Sequence, residues 1–284
     1  MKTRILTAIV AIALFVPICI FSDYIVFPIA ISIICAVGVF EIIKCVGYHK
    51  SFVLSIPMYI IAAALPVTRF LVGNDRSFAV ISIACAFFML IYCMIYAMAT
   101  FNKGKNVIDI LSVFGLFLYV VGCFSAIVMV RYSSDGLGKY MYLLIFLGAW
   151  VSDTFAYFTG MMFKKKNHKL IPKISPKKTV EGAIGGVVFT LIAFIIYGIV
   201  LKNGFAIDLP IYQYCILGVI LPIVSQVGDL LASTVKRHFD IKDYGKIFPG
   251  HGGVLDRFDS VMLVAPTLCI INAIINLITG VYVL

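Results

Sequence analysis

The sequence predicts an all-α polytopic membrane protein with about nine transmembrane helices, on three observations. Hydrophobic residues make up 62% of the chain and charged residues only 13%, whereas soluble domains carry about 25% charged residues. Mean hydropathy is +1.09. The apolar residues also gather into runs long enough to cross roughly 30 Å of hydrocarbon, which takes about 20 residues of helix. No water satisfies backbone N–H and C=O groups inside a bilayer, so runs of this length must be helical.

The first run, Ile5–Phe21, follows Lys2 and Arg4 and has the outline of a signal peptide. It lacks a small-residue cleavage site, and a second run starts at Ile25, so it reads as a first membrane helix. Ile25–Ile43, Phe52–Val72, Phe78–Thr100 and Val107–Val130 follow, with short connections and few charges. Tyr140–Phe163 contains a lone carboxylate, Asp153. Ala183–Leu201 comes after a lysine-rich loop, Ile211–Leu231 carries Asp229 near its end, and Phe258–Val283 closes the chain. The eight cysteines are scattered without a CxxC pair, mostly inside these runs. They read as small apolar packing residues, not as disulfides or a zinc site.

Basic residues set the expected orientation. With the N-terminus inside, the inner segments hold 18 of the 23 lysines and arginines, leaving Arg69, Arg76, Arg131, Lys139 and Lys202 outside. The expectation is a cytoplasmic N-terminus and an outer C-terminus. The net charge of +10 then belongs to the cytoplasmic face, where it suits anionic membrane lipids or a phosphorylated substrate. No soluble basic domain is present to hold nucleic acid, so nucleic acid is not expected as a partner.

The expected division is residues 1–148, transmembrane scaffold helices whose role is packing, and residues 149–284, a catalytic membrane region with cytoplasmic loops at 164–182 and 232–257. The first loop ends in SPKKTVEG. Ser175 then Pro176 is a helix-start pattern, with serine as N-cap and proline in the first turn. Lys177 and Lys178 would follow in that turn, where the helix dipole disfavours cations, so a bound phosphate is expected there. Gly182 and Gly186 read as a close helix contact.

The second loop, Lys236–Ser260, holds nine of the chain's Lys, Arg, Asp and Glu residues and a Pro-Gly-His-Gly-Gly run. Upstream, Ser225, Asp229, Ser233 and then Lys236 or Arg237 recur at helical steps and share one face. Asp229 stands near the end of an apolar run, where ionisable residues are costly and usually functional. Downstream, Asp256 and Asp259 are three apart. Carboxylates beside many cations make sense where a divalent metal and a polyphosphate bind together, because Mg²⁺ takes one or two carboxylates plus substrate phosphates. Gly252 and Gly253 would let the backbone approach phosphate. His251 reads as a phosphate contact or loop-shaping residue.

STVKRHFDIKDYGKIFPGHGGVLDRFD, Ser233–Asp259, resembles the signature of the phosphatidate cytidylyltransferase family, the CDP-diacylglycerol synthases. Ser233, Lys236, Arg237, Lys242, Asp243, Gly245, Phe248, Pro249, His251, Gly252, Gly253, Asp256, Arg257 and Asp259 meet every fixed position of it. SPKKTVEG, with Glu181, and Gly228–Asp229 are similar to further family features. The resemblance implies that CTP and phosphatidate give CDP-diacylglycerol and pyrophosphate, with Mg²⁺ or two cations, at a bacterial cytoplasmic membrane. The expected metal ligands are Asp229, Asp256 and Asp259. Lys236 and Arg237 join them in catalysis, while Ser175, Lys177, Lys178, Glu181, Asp153, Ser233, Lys242, Asp243, His251, Gly252, Gly253 and Arg257 contact substrate. A homodimer is compatible with this reading. The rival readings are a CTP-dependent polyprenol kinase, which would transfer the γ-phosphoryl group, and a cation-coupled transporter using Asp153 and Asp229.

Overall fold

The structure, a computed structural model, describes residues 2–104, 106–133, 136–163, 168–207, 209–248, 250 and 252–279. Among them are nine α-helices: α1 (Lys2–Ile20), α2 (Val26–Val46), α3 (Phe52–Val72), α4 (Asp75–Thr100), α5 (Val107–Arg131), α6 (Gly138–Met162), α7 (Val180–Phe205), α8 (Ile211–His238) and α9 (Leu255–Thr279). A short hairpin, β1 (Lys169–Ile171) and β2 (Ser175–Thr179), precedes α7. Helices α2 to α9 are each long and apolar enough to cross a membrane, and α1 coincides with the first apolar run. The chain is an integral membrane protein. It folds as two compact units, one of residues 1–139 and 239–257, the other of residues 140–238 and 258–284.

In the first unit, α2 packs against α3 and α5. Phe27, Ile31, Cys35, Val39 and Ile43 of α2, Leu54 and Met58 of α3, and Phe117, Val120 and Phe124 of α5 are all buried. Gly38 lets the helices close, since a Cβ there would meet Leu255 Cδ2 at 3.0 Å and Val120 Cγ1 at 3.2 Å. Gly47 ends α2 at φ +91°, a left-handed conformation that glycine adopts without a Cβ penalty. Asn74 and Asn106 start α4 and α5, their side-chain oxygens accepting from the Arg76 and Ile108 amides at 2.8 and 3.0 Å. Much of α4 is exposed, including Val80, Ile83, Phe87 and Phe88. That surface suits lipid tails, which are as apolar as the side chains they touch.

In the second unit, α7 and α8 pack through small residues. A Cβ on Gly198 would come within 2.7 Å of the Tyr214 ring, and one on Gly218 within 2.9 Å of Leu191 Cα. Gly182 and Gly186 approach α6 as their spacing predicts: a Cβ would lie 2.6 Å from the Ala156 carbonyl oxygen and 2.9 Å from that of Ser152. Between membrane helices, close van der Waals packing replaces the hydrophobic effect as the cohesive term.

Two boundaries differ from the sequence expectation. Ser175 is not an N-cap: residues 175–179 form a strand paired antiparallel with β1, Ile171 opposite Ser175 and Lys169 opposite Thr179. The cap is Thr179, whose hydroxyl oxygen accepts from the Gly182 amide at 3.1 Å. Proline's fixed φ suits an extended segment as well as a first helical turn, so Ser-Pro alone did not decide between them. Lys177 and Lys178 therefore precede the helix. Helix α8 also runs through His238, which shortens the second loop, and α9 begins at Leu255.

Gly182→Val should destabilise the protein by about 1–3 kcal/mol, the usual range for overpacking, because the obstacle is backbone. Thermal unfolding in detergent checks this, and an unchanged melting temperature would contradict the α6–α7 contact.

Candidate active site

The predicted residues fall into two groups, one in each unit. In the first unit the signature loop runs into α9, whose opening amides have no partner within the helix. Glu41 supplies it. The Val254 amide donates to Glu41 Oε1 and the Leu255 amide to Oε2, both at 2.9 Å. Glu41 is 1% exposed and lies near the C-terminal end of α2, so a carboxylate from a distant helix caps α9 at the positive end of its dipole. Asp256 ties the loop from the other side: its Oδ2 accepts from the amides of Tyr244 at 2.8 Å and Gly253 at 2.9 Å. The Phe248 amide donates to the Gly252 carbonyl at 2.9 Å and closes the turn.

The glycines of the loop make room for these carboxylates. A Cβ on Gly245 would lie 2.3 Å from Glu41 Oε1, and one on Gly253 2.1 Å from it. Gly252 has φ +89°, and a Cβ there would meet Asp256 Oδ2 at 2.7 Å. Lys242, Asp243, Lys246 and Arg257 are exposed on this loop. Pro249 and His251 lie outside the described residues.

Glu41 lies among the helices expected to serve as packing scaffold, and it is not one of the residues predicted for the site. The signal was present, since a carboxylate within an otherwise apolar run is costly unless it has work to do.

In the second unit, α8 places Ser225, Asp229, Ser233 and Lys236 on one face. The Ser233 hydroxyl donates to Asp229 Oδ1 at 3.4 Å. Lys178 Nζ reaches in from the end of β2, 2.7 Å from Asp229 Oδ2, and donates to the Gln226 carbonyl at 3.2 Å. The Gln226 side chain in turn donates to Ser152 Oγ and the Ala183 carbonyl. Lys236 is buried and its Nζ is 3.8 Å from Asp259 Oδ2. Arg237 is exposed, so Lys236 is the basic residue that shares the acidic face. Asp229, Lys236 and Asp153 are the charged groups acting on the Asp259 carboxylate.

Other predicted residues are placed differently. The Glu181 carboxylate accepts from the His168 amide at 3.1 Å and meets His168 Nδ1 at 2.7 Å, which fastens the hairpin to α7. Lys177 is exposed and Ser175 half-buried on β2.

An alternation of lysine and aspartate at helix ends suits a ligand that brings both phosphate and cation. Over residues 2–275 the chain matches the Cytidylyltransferase family. It is 34% identical over 278 residues to the phosphatidate cytidylyltransferase of Staphylococcus haemolyticus, covering 95% of this chain and 98% of that protein. The Staphylococcus aureus protein of that name is 34% identical over 273 residues, again 95% and 98%. That of Bacillus subtilis is 32% identical over 282 residues, 97% and 99%. Helices and matches together define an integral membrane enzyme of the nucleotidyltransferase class. Within that class, the chain belongs to the cytidylyltransferase family.

A divalent cation goes with this family. Among the described residues no three carboxylates, imidazoles or thiols converge as a ready-made cage. Asp229 and Asp259, each already beside an ammonium group, fit a cation that arrives with substrate oxygens completing its shell. Asp256 has a carboxylate oxygen committed to two amides.

Glu41→Ala should lower stability by about 1–3 kcal/mol by stranding two buried amides, and Glu41→Gln by less, since it keeps an acceptor. Hydrogen exchange should rise at Val254 and Leu255 in Glu41→Ala. Protection equal to wild type would contradict the cap.

Proposed function

We propose that this chain transfers the cytidylyl group of CTP to phosphatidate, releasing pyrophosphate and leaving CDP-diacylglycerol in the membrane. Family membership and the names of the full-length relatives support the reaction. The observation that carries its placement is the pairing of Lys178 with Asp229 and of Lys236 with Asp259 at helix ends of the second unit. A phosphatidate oxygen forms the new bond to the CTP α-phosphorus, and the α–β bridging bond breaks with its electrons going to pyrophosphate. The phosphate nucleophile is already anionic, so no general base is required.

Lys178 and Lys236 act by position and charge. When substrate phosphates enter, each lysine exchanges a carboxylate for phosphate oxygens and stabilises the charge spread over them in the transition state. Asp229 and Asp259 would be the residues to hold Mg²⁺, which would supply Lewis-acid polarisation of the phosphoryl oxygens. The Ser233 hydroxyl orients the Asp229 carboxylate. Glu41 and Asp256 keep the signature loop shaped, with Lys242 and Arg257 on its exposed side and Lys177 on the hairpin available to phosphate. Asp256 is assigned to the loop and not to the cation, because its carboxylate is engaged with amides. The basic loops support a reading in which the reaction runs on the cytoplasmic face of a bacterial inner membrane, where anionic lipids would be attracted and soluble CTP would meet a lipid headgroup.

Detergent-purified protein given phosphatidate, Mg²⁺ and CTP labelled in the α or γ phosphate should move α-label into lipid and γ-label into pyrophosphate. γ-Label in lipid with an added polyprenol would establish a kinase instead. Asp229→Asn should lower kcat on the order of 10²–10³-fold, the scale for loss of a charge-stabilising group, with melting unchanged. Asp256→Ala should lower the melting temperature as well as activity. Loss of activity in Asp256→Ala with melting unchanged would return that residue to the cation site.

A further inference from the structure

The first unit has a second basic site at the end of its helices away from the signature loop. Helix α3 starts beside the turn that follows α2 and ends 21 residues later, which at 1.5 Å per residue is about 30 Å of travel. At that far end a cavity of about 280 Å³ is lined by Arg69, Phe70, Arg131, Tyr132, Ser133 and Lys139, with glycines at its rim. A water molecule takes about 30 Å³ of liquid volume, so the cavity has room for a tetrahedral oxyanion and part of whatever carries it.

Its charge is unevenly satisfied. Arg69 is 1% exposed, and its guanidinium meets Asp75 Oδ1 at 2.6 Å and the Tyr132 carbonyl. Its Nε is buried with no hydrogen-bond acceptor. Arg131, 5% exposed, donates to Ser22 Oγ at 2.9 Å and to Asp23 Oδ1 at 2.5 Å. The Asp23 side chain stands 60% exposed and that of Asp75 31% exposed, so both counter-charges are nearer to solvent than the guanidinium groups they meet. An arginine cannot shed its proton, and a buried N–H without an acceptor is costly. Lys139 adds a third cation to the lining. Tyr132 remains a neutral O–H donor, because burial lifts its phenol to about 12, and that hydroxyl is spent on the Ser22 carbonyl at 2.8 Å. The ring stays as a wall, with the Arg131 guanidinium 5.0 Å from its centroid and Phe70 edge-on to it.

We propose that this cavity is an anion site for a phosphate-class oxyanion. Two arginines and a lysine lining a space of this size match tetrahedral, multiply charged oxygens. The same chemistry is carried by free phosphate and by a phospholipid headgroup. Arg69 is close to the end of α3 and Arg131 is the last residue of α5. Exposed Leu71 and Val72 lie next in the chain, so a headgroup could seat its phosphate here with its tails along the apolar surface.

Lipid-stripped protein in detergent would be titrated with inorganic phosphate and, separately, with dihexanoyl phosphatidylglycerol, reading the melting temperature. At least one probe should raise it saturably. The dissociation constant from that curve should be roughly tenfold weaker in Arg69→Lys and in Lys139→Gln, the factor that follows from losing ~1.4 kcal/mol. Lys178→Gln, altered in the cluster proposed to take substrate phosphate, should still show a saturable shift, the one that belongs to the Arg69 cavity. Saturation by phosphate alone identifies a free oxyanion site, and saturation by the lipid alone identifies a headgroup site. The proposal is overturned if neither probe shifts wild type, if the shift survives unchanged in Lys139→Gln, or if it disappears in Lys178→Gln. Should Arg69→Lys fail to fold, Lys139→Gln decides.

Discussion

Charge at the edge of hydrocarbon has to be paired, and much of this structure follows from how the pairing is done. A carboxylate or guanidinium taken out of water without a partner loses several kcal/mol. Each buried or half-buried charge described above accordingly has one: Glu41 with two helix-end amides, Asp256 with two loop amides, Asp229 with Lys178, Asp259 with Lys236, Arg69 with Asp75. The kinds of partner differ in consequence. Glu41 and Asp256 bind backbone, which cannot move away without unfolding the loop. Lys178 and Lys236 are long side chains whose ammonium groups can swing to another acceptor. The first kind of pair makes scaffold, and the second is the kind that the proposed mechanism has substrate open.

The apolar runs announced the fold because hydrocarbon leaves the backbone so little choice, and eight long apolar helices coincide with expected spans. The polar elements were harder to read. SPKKT has the punctuation of a helix start, yet it pairs with Lys169–Ile171 as a strand, and only the tertiary partner distinguishes the two. The face of Asp229, Ser233 and Lys236 was legible because helical spacing is short-range. Glu41 belongs with Val254 and Leu255, more than two hundred residues away in sequence, and no periodicity reports such a contact. The glycines of the signature loop looked like room for phosphate. Their space is taken by carboxylates, which explains why Gly245 and Gly253 must lack a side chain even if no ligand touches them.

Pre-formed lysine–aspartate pairs also bear on how a membrane enzyme handles a highly charged nucleotide. In this structure, Lys178 and Asp229, and Lys236 and Asp259, neutralise one another. Under the proposed mechanism, entry of the triphosphate with its cation would exchange one set of pairs for another instead of leaving a charge isolated. The residues proposed to change partner, Lys178, Asp229, Lys236 and Asp259, would then already be near where they act, and positioning of this kind is the main resource in phosphoryl and nucleotidyl transfer.

Such an exchange requires nucleotide and cation to bind as coupled ligands, and coupling is reciprocal. The most direct measurement is Mn²⁺ binding to the purified protein by electron paramagnetic resonance, with and without a non-hydrolysable CTP analogue, in wild type and in Lys178→Gln. Wild type should bind the ion at least about tenfold more tightly with nucleotide present, a coupling of ~1.4 kcal/mol, after subtraction of binding to the analogue itself. In Lys178→Gln, where no ammonium competes for Asp229, the ion should bind better without nucleotide and the coupling should shrink. Equal Mn²⁺ affinity with and without nucleotide, or coupling unaltered by Lys178→Gln, would contradict the exchange of partners at Asp229.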